Sequence, residues 1–323
     1  MVKKANRGLE VKYPHTAGID IGSSVHYVCV PEGRDEQCVK KFGCFTEDLY
    51  QLATWLKRCH VQTVVMESTG VYWIPLFQIL EQKGFDVKLV NARFVKNVPG
   101  RKTDVQDCQW LQQLGSYGLL QGSFRPEAQI CVLRSYIRQR ESLTRSASTH
   151  VLRMQKALTQ MNLQLHKVIA NITGVTGTLI IQAILAGERD PHKLACLRDK
   201  RTKNKEETIS KALMGDYREE HLFTLKQEFE LYNIYRQKIE DCDQQVASLY
   251  KTLDTKLNQN EDDPCLTDTL IKKQEEKKHP EFNLREELHR IAGGDLTTIP
   301  GIQTLSAQAI ISEVGTDPDL ATF

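Results

Sequence analysis

"AGIDIGSSVHYVCV", Ala17 to Val30, is the stretch that decides the fold. Read at a period of two, it is a pair of short apolar runs joined at Gly22, Ser23 and Ser24, the small-residue punctuation of a tight hairpin. Asp20 breaks the pattern by placing a carboxylate inside a strand otherwise built from Ala, Gly and Ile. A carboxylate withdrawn from water costs free energy unless something compensates it, so Asp20 is the first residue to ask a function of.

Outward from the hairpin, "KKFGCF" (Lys40–Phe45) reads as a third strand and "TEDLYQLATWLKRCH" as an amphipathic helix capped by Thr46. "QTVVMES" is a strand, "GVYWIPLFQILEQKG" a helix stopped at Gly84, and "DVKLVNA" another strand. "RKTDVQDCQWLQQLGSYG" has helical spacing. The order β-β-β-α-β-α-β predicts an α/β domain over residues 1–125 with a ribonuclease-H-like mixed sheet. In such a sheet the first and fourth strands are neighbours and a later helix packs across them.

Beyond Arg125 the texture changes to α. Val132, Leu133, Tyr136, Leu143, Val151, Met154, Leu158, Met161 and Leu165 fall near a helical period with arginines between them. From Leu222 to Leu253 the apolar residues advance in steps of three and four, with one three-residue slip from Tyr232 to Tyr235, which is a heptad seam. Such a seam serves a subunit contact or an intramolecular bundle equally well. "NQNEDDPCLTDTLIKKQEEKKHPEFN" is too charged to predict a packed element. A helical and coiled-coil region is therefore expected over 126–290. The start of a further helical domain is expected over 291–323, where "IPGIQTLSAQAI" resembles half of a helix-hairpin-helix.

Composition sets bounds without choosing a function. With 323 residues, 40% hydrophobic and 26% charged, the chain can bury more than one core. Lys and Arg number 43 against 41 Asp and Glu, so overall charge does not argue for nucleic acid and only local patches can. The nine cysteines contain no Cys-x-x-Cys pair, which fits free thiols in a reducing compartment better than disulfides or a zinc site. No apolar run is long enough to span a bilayer. A cytoplasmic, nucleoid-associated protein is expected.

Four acids stand at positions where this fold would gather them. Asp20 lies in the first strand, Glu67 ends the fourth, and Asp104 and Asp107 are spaced to share one helix side. Converging carboxylates repel and raise one another's pKa. Two divalent ions about 3.5–4 Å apart relieve that repulsion and form the clamp used by metal nucleases and recombinases. Oxygen ligands suit Mg²⁺ or Mn²⁺. Taken singly, each acid has a plainer reading: Asp20 fits the phosphate-cradling turn of sugar kinases, although "AGGD" at Ala292–Asp295 is the one candidate for a second phosphate loop. Glu67 fits a helix N-terminus, and Asp104 or Asp107 a solvated helix face.

"GIDIGSSVHYVCV", "VVMESTGVYW", "VNARFVKNVPGRKTDVQDCQWL" and "IPGIQTLSAQAIISEVG" together resemble the insertion-sequence 110 type of transposase. These are DEDD recombinases with a RuvC-like N-terminal domain, guided by a structured bridge RNA. The resemblance runs along nearly the whole chain and is most specific over "VNARFVKNVPGRKTDVQD". It implies that Asp20, Glu67, Asp104 and Asp107 are the metal-binding catalytic tetrad of a transposase that cuts and exchanges DNA strands. It also implies a serine in a Ser-Gly-Gly-like stretch that links covalently to DNA. No Ser-Gly-Gly occurs in this sequence, neither Ser306 nor Ser312 matches it, and a C-terminally truncated transposase is the resulting expectation.

Nucleic-acid contacts are expected at two places. Arg93, Lys96, Arg101 and Lys102 lead into Asp104 and would set a phosphodiester beside the acids. Between Arg125 and Lys156, seven basic residues including Arg134, Arg138, Arg140, Arg145, Arg153 and Lys156 outnumber Glu127 and Glu141, and arginine grips phosphate bidentately. The partners expected are DNA, a guide RNA and further copies of the chain as a dimer or tetramer. A Holliday-junction-type metal nuclease and a non-catalytic nucleic-acid-binding protein are the competing readings.

Overall fold

In the computed structural model the described residues are 10–91, 103–256 and 283–316. Arg93, Lys96, Arg101, Lys102, the charged stretch 257–282 and the final residues 317–323 lie outside them. The chain divides into two compact units, Met1–Arg125 and Pro126–Phe323.

The first unit is built on strands β1 (Thr16–Ile21), β2 (Val25–Cys29), β3 (Val39–Gly43), β4 (Thr63–Glu67) and β5 (Asp86–Val90), in the order β3-β2-β1-β4-β5. The β1–β2 and β2–β3 pairs are antiparallel, whereas β1–β4 and β4–β5 are parallel. This mixed five-stranded sheet with its helices is consistent with the ribonuclease-H-like architecture expected. Alternation along β1 sends Ala17, Ile19 and Ile21 into a core shared with helices α1 (Thr46–Arg58) and α2 (Trp73–Gln82). Thr16, Gly18 and Asp20 take the opposite face. Thr46 is not the cap of α1: the cap position is Phe45, and the Asp48 carboxylate accepts its backbone N–H at 3.2 Å. An acid in the first turn has displaced the threonine as the group that satisfies the exposed donor.

The opposite face is covered by α3 (Asp104–Ser116). Two glycines let it lie close. A methyl group built on Gly18 would overlap the Cys108 carbonyl and the Gln112 backbone nitrogen, and one on Gly115 would stand 2.8 Å from both Thr16 Cγ2 and Val65 Cγ2. Backbone therefore rests directly on backbone at Gly18, while at Gly115 the helix rests on the Thr16 and Val65 methyls, with Val65, Val90 and Leu111 sealing the contact.

The second unit is organised by two long helices, α4 (Ala128–Gln160) and α9 (Glu219–Tyr250), packed antiparallel. Between them run α5 (Leu165–Val168), α6 (Val175–Leu185), α7 (Pro191–Cys196) and α8 (Glu206–Ala212); after them come α10 (Leu284–Ala292), a 3-10 turn (Leu296–Thr298) and α11 (Thr304–Val314). One core joins Met154, Leu158, Ile180, Ile184, Leu225 and Phe229 at one end of the pair. A second joins Leu133, Ile137, Val246, Tyr250, Leu288 and Ile311 at the other. The two ends of the Leu222–Leu253 seam are thus filled from within the chain. Of the two uses its spacing left open, the intramolecular one is realised at both ends of the seam, where Leu225, Phe229, Val246 and Leu253 are buried in these cores. No helix among the described residues is long and apolar enough to cross a membrane.

Candidate active site

The acids are placed by strand register and helix phase. Thr16 to Ile19 pair in parallel with Thr63 to Met66, so one step further along the two strands Asp20 and Glu67 take matching places on the same face. Helix α3 runs against β1 in the reverse sense: Gly115 sits over Thr16, and the turn holding Cys108 and Gln112 sits over Gly18. Four residues of helix rise about 6 Å and two of strand about 6.6 Å, so the next turn, with Asp104, comes level with Asp20. Asp107 precedes buried Leu111 by four and Asp104 precedes buried Cys108 by four, so both acids prolong the stripe by which α3 is docked. Sequence order placed the four carboxylates apart; the fold turns them toward one end of the sheet.

Their proximity is electrostatic as well as topological. Asp20 is half-buried, and its carboxyl is pushed up to about 6, first by burial and then by the negative charges of Asp104, Asp107 and Glu67. The N-terminus of α3, where the Thr103 side chain accepts the Gln106 N–H at 3.3 Å, favours the two acids of its first turn. Glu67 is steadied by its own loop: the Thr69 hydroxyl donates to Oε1 at 3.5 Å, and the Ser68 N–H donates to the Val90 carbonyl at 3.0 Å.

The donor set is all carboxylate oxygen, which fits a hard divalent cation. Among the described residues, no three potential ligands stand close enough to grip a single ion. The acids are thus near enough to repel one another and still short of a finished coordination cage.

Two neighbours escaped the sequence reading. Tyr27 is the β2 residue opposite Asp20 and is half-buried on the same face. Beneath the acids the buried thiols of Cys29 and Cys108 lie against each other, and that contact together with burial pushes the Cys108 thiol well up. Nothing in the spacing of nine scattered cysteines marks this pair.

The basic residues of α4 divide into two kinds. Arg134 donates to the Ser312 and Glu313 carbonyls at 3.1 and 2.6 Å, closing the C-terminal end of α11, and Arg138 makes a bidentate pair with Glu313 at 2.9 and 2.8 Å. Arg140 is held by Asp243 at 2.5 and 3.3 Å, and Arg153 reaches Glu228 at 3.6 Å. Arg145 and Lys156 are exposed and make no ion pair among the described residues. The local charge excess had omitted these acids because they arrive from distant parts of the chain: Asp243 is 103 residues from Arg140, and Glu313 is 175 from Arg138.

No curated protein matches the chain. A family does: residues 17–163, a span holding all four carboxylates and the whole of α4, match the family model of the DEDD transposases of insertion-sequence 110 type, described as Transposase.

Proposed function

We propose that this protein is a metal-dependent DNA transposase of the insertion-sequence 110 type, which cuts and rejoins strands at the ends of a mobile element under the guidance of a structured RNA. The observation that carries the reading is the gathering of four carboxylates by strand register and helix phase: Asp20 is raised by burial and then by the charges of Asp104, Asp107 and Glu67. A fold that gathers like charges at the mouth of a sheet favours a cation over an empty site. Asp20, Glu67, Asp104 and Asp107 would hold Mg²⁺ or Mn²⁺. Such ions, when bound, supply Lewis-acid activation of the attacking oxygen and stabilisation of the leaving oxygen.

The chain's own contribution is placement. Asp20 and Glu67 are fixed by adjacent parallel strands, while Asp104 and Asp107 are carried on a helix whose height is set by two glycines. Arg145 and Lys156, with Arg93, Lys96, Arg101 and Lys102, are assigned to nucleic-acid backbone, a role that gives affinity and salt dependence without sequence readout. Arg134, Arg138, Arg140 and Arg153 are assigned first to holding the helical unit together. No residue of this sequence is assigned the role of the serine that the resemblance implies. Joining two DNA ends calls for at least two copies, and action on chromosomal DNA puts the protein with the nucleoid.

The test is metal and nucleic acid together. Protein expressed with its native flanking DNA should co-purify with one defined RNA, and Mn²⁺ titrated into it should bind with wild type and weaken at least tenfold with Glu67→Gln. Mn²⁺ affinity unchanged by Glu67→Gln, Asp20→Asn and Asp104→Asn alike would refute the metal site. Co-purified RNA without any dominant species would refute guidance.

A further inference from the structure

Directly after Glu67 the chain leaves β4 through Ser68, Thr69 and Gly70 and exposes two apolar side chains before α2 begins. Val71 is 67% exposed and Tyr72 is 48% exposed. The loop that carries them is held at both ends. The Ser68 N–H is bonded to the Val90 carbonyl at 3.0 Å, and the Thr69 N–H to the Glu67 carbonyl at 2.9 Å. On the far side, the Trp73 indole donates to the Gly70 carbonyl at 3.2 Å, and its ring packs edge-on against Phe77 with centroids 5.6 Å apart. Gly70 adopts φ +54, a left-handed turn, and the Tyr72 ring edge lies 3.6 Å from where its Cβ would be, so the phenol lies across the turn. A loop pinned on both flanks, with a flat aromatic ring left in solvent between the pins, is a rigid platform lacking an intramolecular partner for that ring among the described residues.

Resting on the transposase reading, we propose that Tyr72, with Val71 beside it, is the stacking platform for the nucleobase next to the cleaved phosphodiester. Three considerations favour a base over another occupant. The platform lies close to the carboxylate site, since the five residues from Glu67 to Tyr72 span at most about 17 Å and the turn at Gly70 shortens that reach. A strand whose phosphate meets Glu67 must send its flanking base toward something, and every base has a face that an exposed tyrosine can stack on. Strand cleavage also needs the phosphodiester held in line, and a base clamped one nucleotide away removes the rotation that would misalign it. Ser68 and Thr69 hydroxyls would lie along the backbone of the same strand.

The experiment uses the full chain with Ca²⁺, so that DNA binds uncut. Single-stranded oligonucleotides carry 2-aminopurine at successive positions, and anisotropy and base fluorescence are read from the same sample. The expected result is strong quenching at one or two adjacent positions with wild type, Tyr72→Phe and Tyr72→Trp. With Tyr72→Ala that quenching should be lost and affinity should fall roughly tenfold, while the melting temperature is unchanged. An abasic nucleotide at the quenched position should weaken wild type about as much as the alanine variant and add little to it. Binding by anisotropy without any position whose quenching depends on Tyr72 overturns the platform and leaves the transposase reading standing. No divalent-ion-dependent DNA binding by wild type overturns that reading, and the platform with it.

Discussion

Asp20 in the sheet unit and Arg140 in the helical unit are both charged side chains held partly out of water beside a long helix, and the fold treats them oppositely. Arg140 meets Asp243 in a two-pronged pair, with only 16% and 17% of the two side chains exposed. Asp20 meets three more acids and is raised to about 6 by burial and by their charges. A charge whose partner is supplied belongs to the architecture. A charge gathered with others of its own sign marks a candidate for function.

The largest effect should come from removing the acids. Asp20→Asn, Glu67→Gln or Asp104→Asn is expected to lower metal-dependent strand cleavage by roughly 10²–10³-fold while the protein stays folded, as read by gel assay beside circular dichroism. A variant that cuts at wild-type rate would erase the contrast between the two units.

Breaking the matched pair should act on stability instead. Arg140→Ala or Asp243→Ala alone should cost about 2–4 kcal/mol in urea unfolding, because each strands its partner. Replacing both, Arg140→Met with Asp243→Leu, should recover most of that loss. If the double variant is as weak as the singles, the pair is a specific lock and not simply a satisfied charge.

Next in size are the basic residues of α4. Arg145→Ala with Lys156→Ala should weaken binding to many sequences alike and flatten the salt dependence by close to one unit of slope per lost phosphate contact. Arg138→Ala should leave binding nearly unchanged and cost about 0–1 kcal/mol of stability. The reverse ranking would mean that Glu313 releases its arginine to nucleic acid.

The smallest effect is a pH signature of Asp20 without metal. Its folded-state value, about 6, lies above the ordinary 3.8, so the folded protein holds this proton more tightly than the unfolded chain does. Stability from this group is therefore present at low pH and is lost as pH rises from about 4 through about 6. Asp20→Asn should melt with wild type near pH 4 and above it at pH 7.5 in chelator, and the advantage should shrink when Mn²⁺ is added.

The sheet unit was more legible in the sequence than the helical one, for a physical reason. Strand alternation and hairpin punctuation are local, so the order of elements and the places of Asp20 and Glu67 could be read from a few residues each. The Asp104 and Asp107 spacing named a shared helix side, but which side faced the sheet depended on Gly18 and Gly115, whose importance shows only when backbone meets backbone. In the helical unit the heptad seam was visible while its partner was not, since a stripe of Leu225, Phe229 and Val246 looks the same whether α4 or a second subunit fills it. Charge was the hardest to read: Arg134, Arg138 and Arg140 form a basic row in sequence, and their partners Asp243 and Glu313 come from far along the chain. Helix α10 went unread beside the charged stretch before it, and Thr46 lost the cap of α1 to Asp48.

The seating of α3 on two glycines makes the interval from Asp104 to Gly115 a gauge block. With backbone stacked on backbone at Gly18 and pressed on two methyls at Gly115, little side-chain cushion is left to absorb a change of length. One residue inserted between Asp107 and Cys108 would swing the acidic turn through about 100° and lift it by about 1.5 Å, carrying both carboxylates off the end of the sheet while the helix below stayed seated. Point changes on the solvent side of α3 leave the gauge intact. The solvent side of this stretch should therefore tolerate rewriting letter by letter, while the stretch as a whole refuses any change of length.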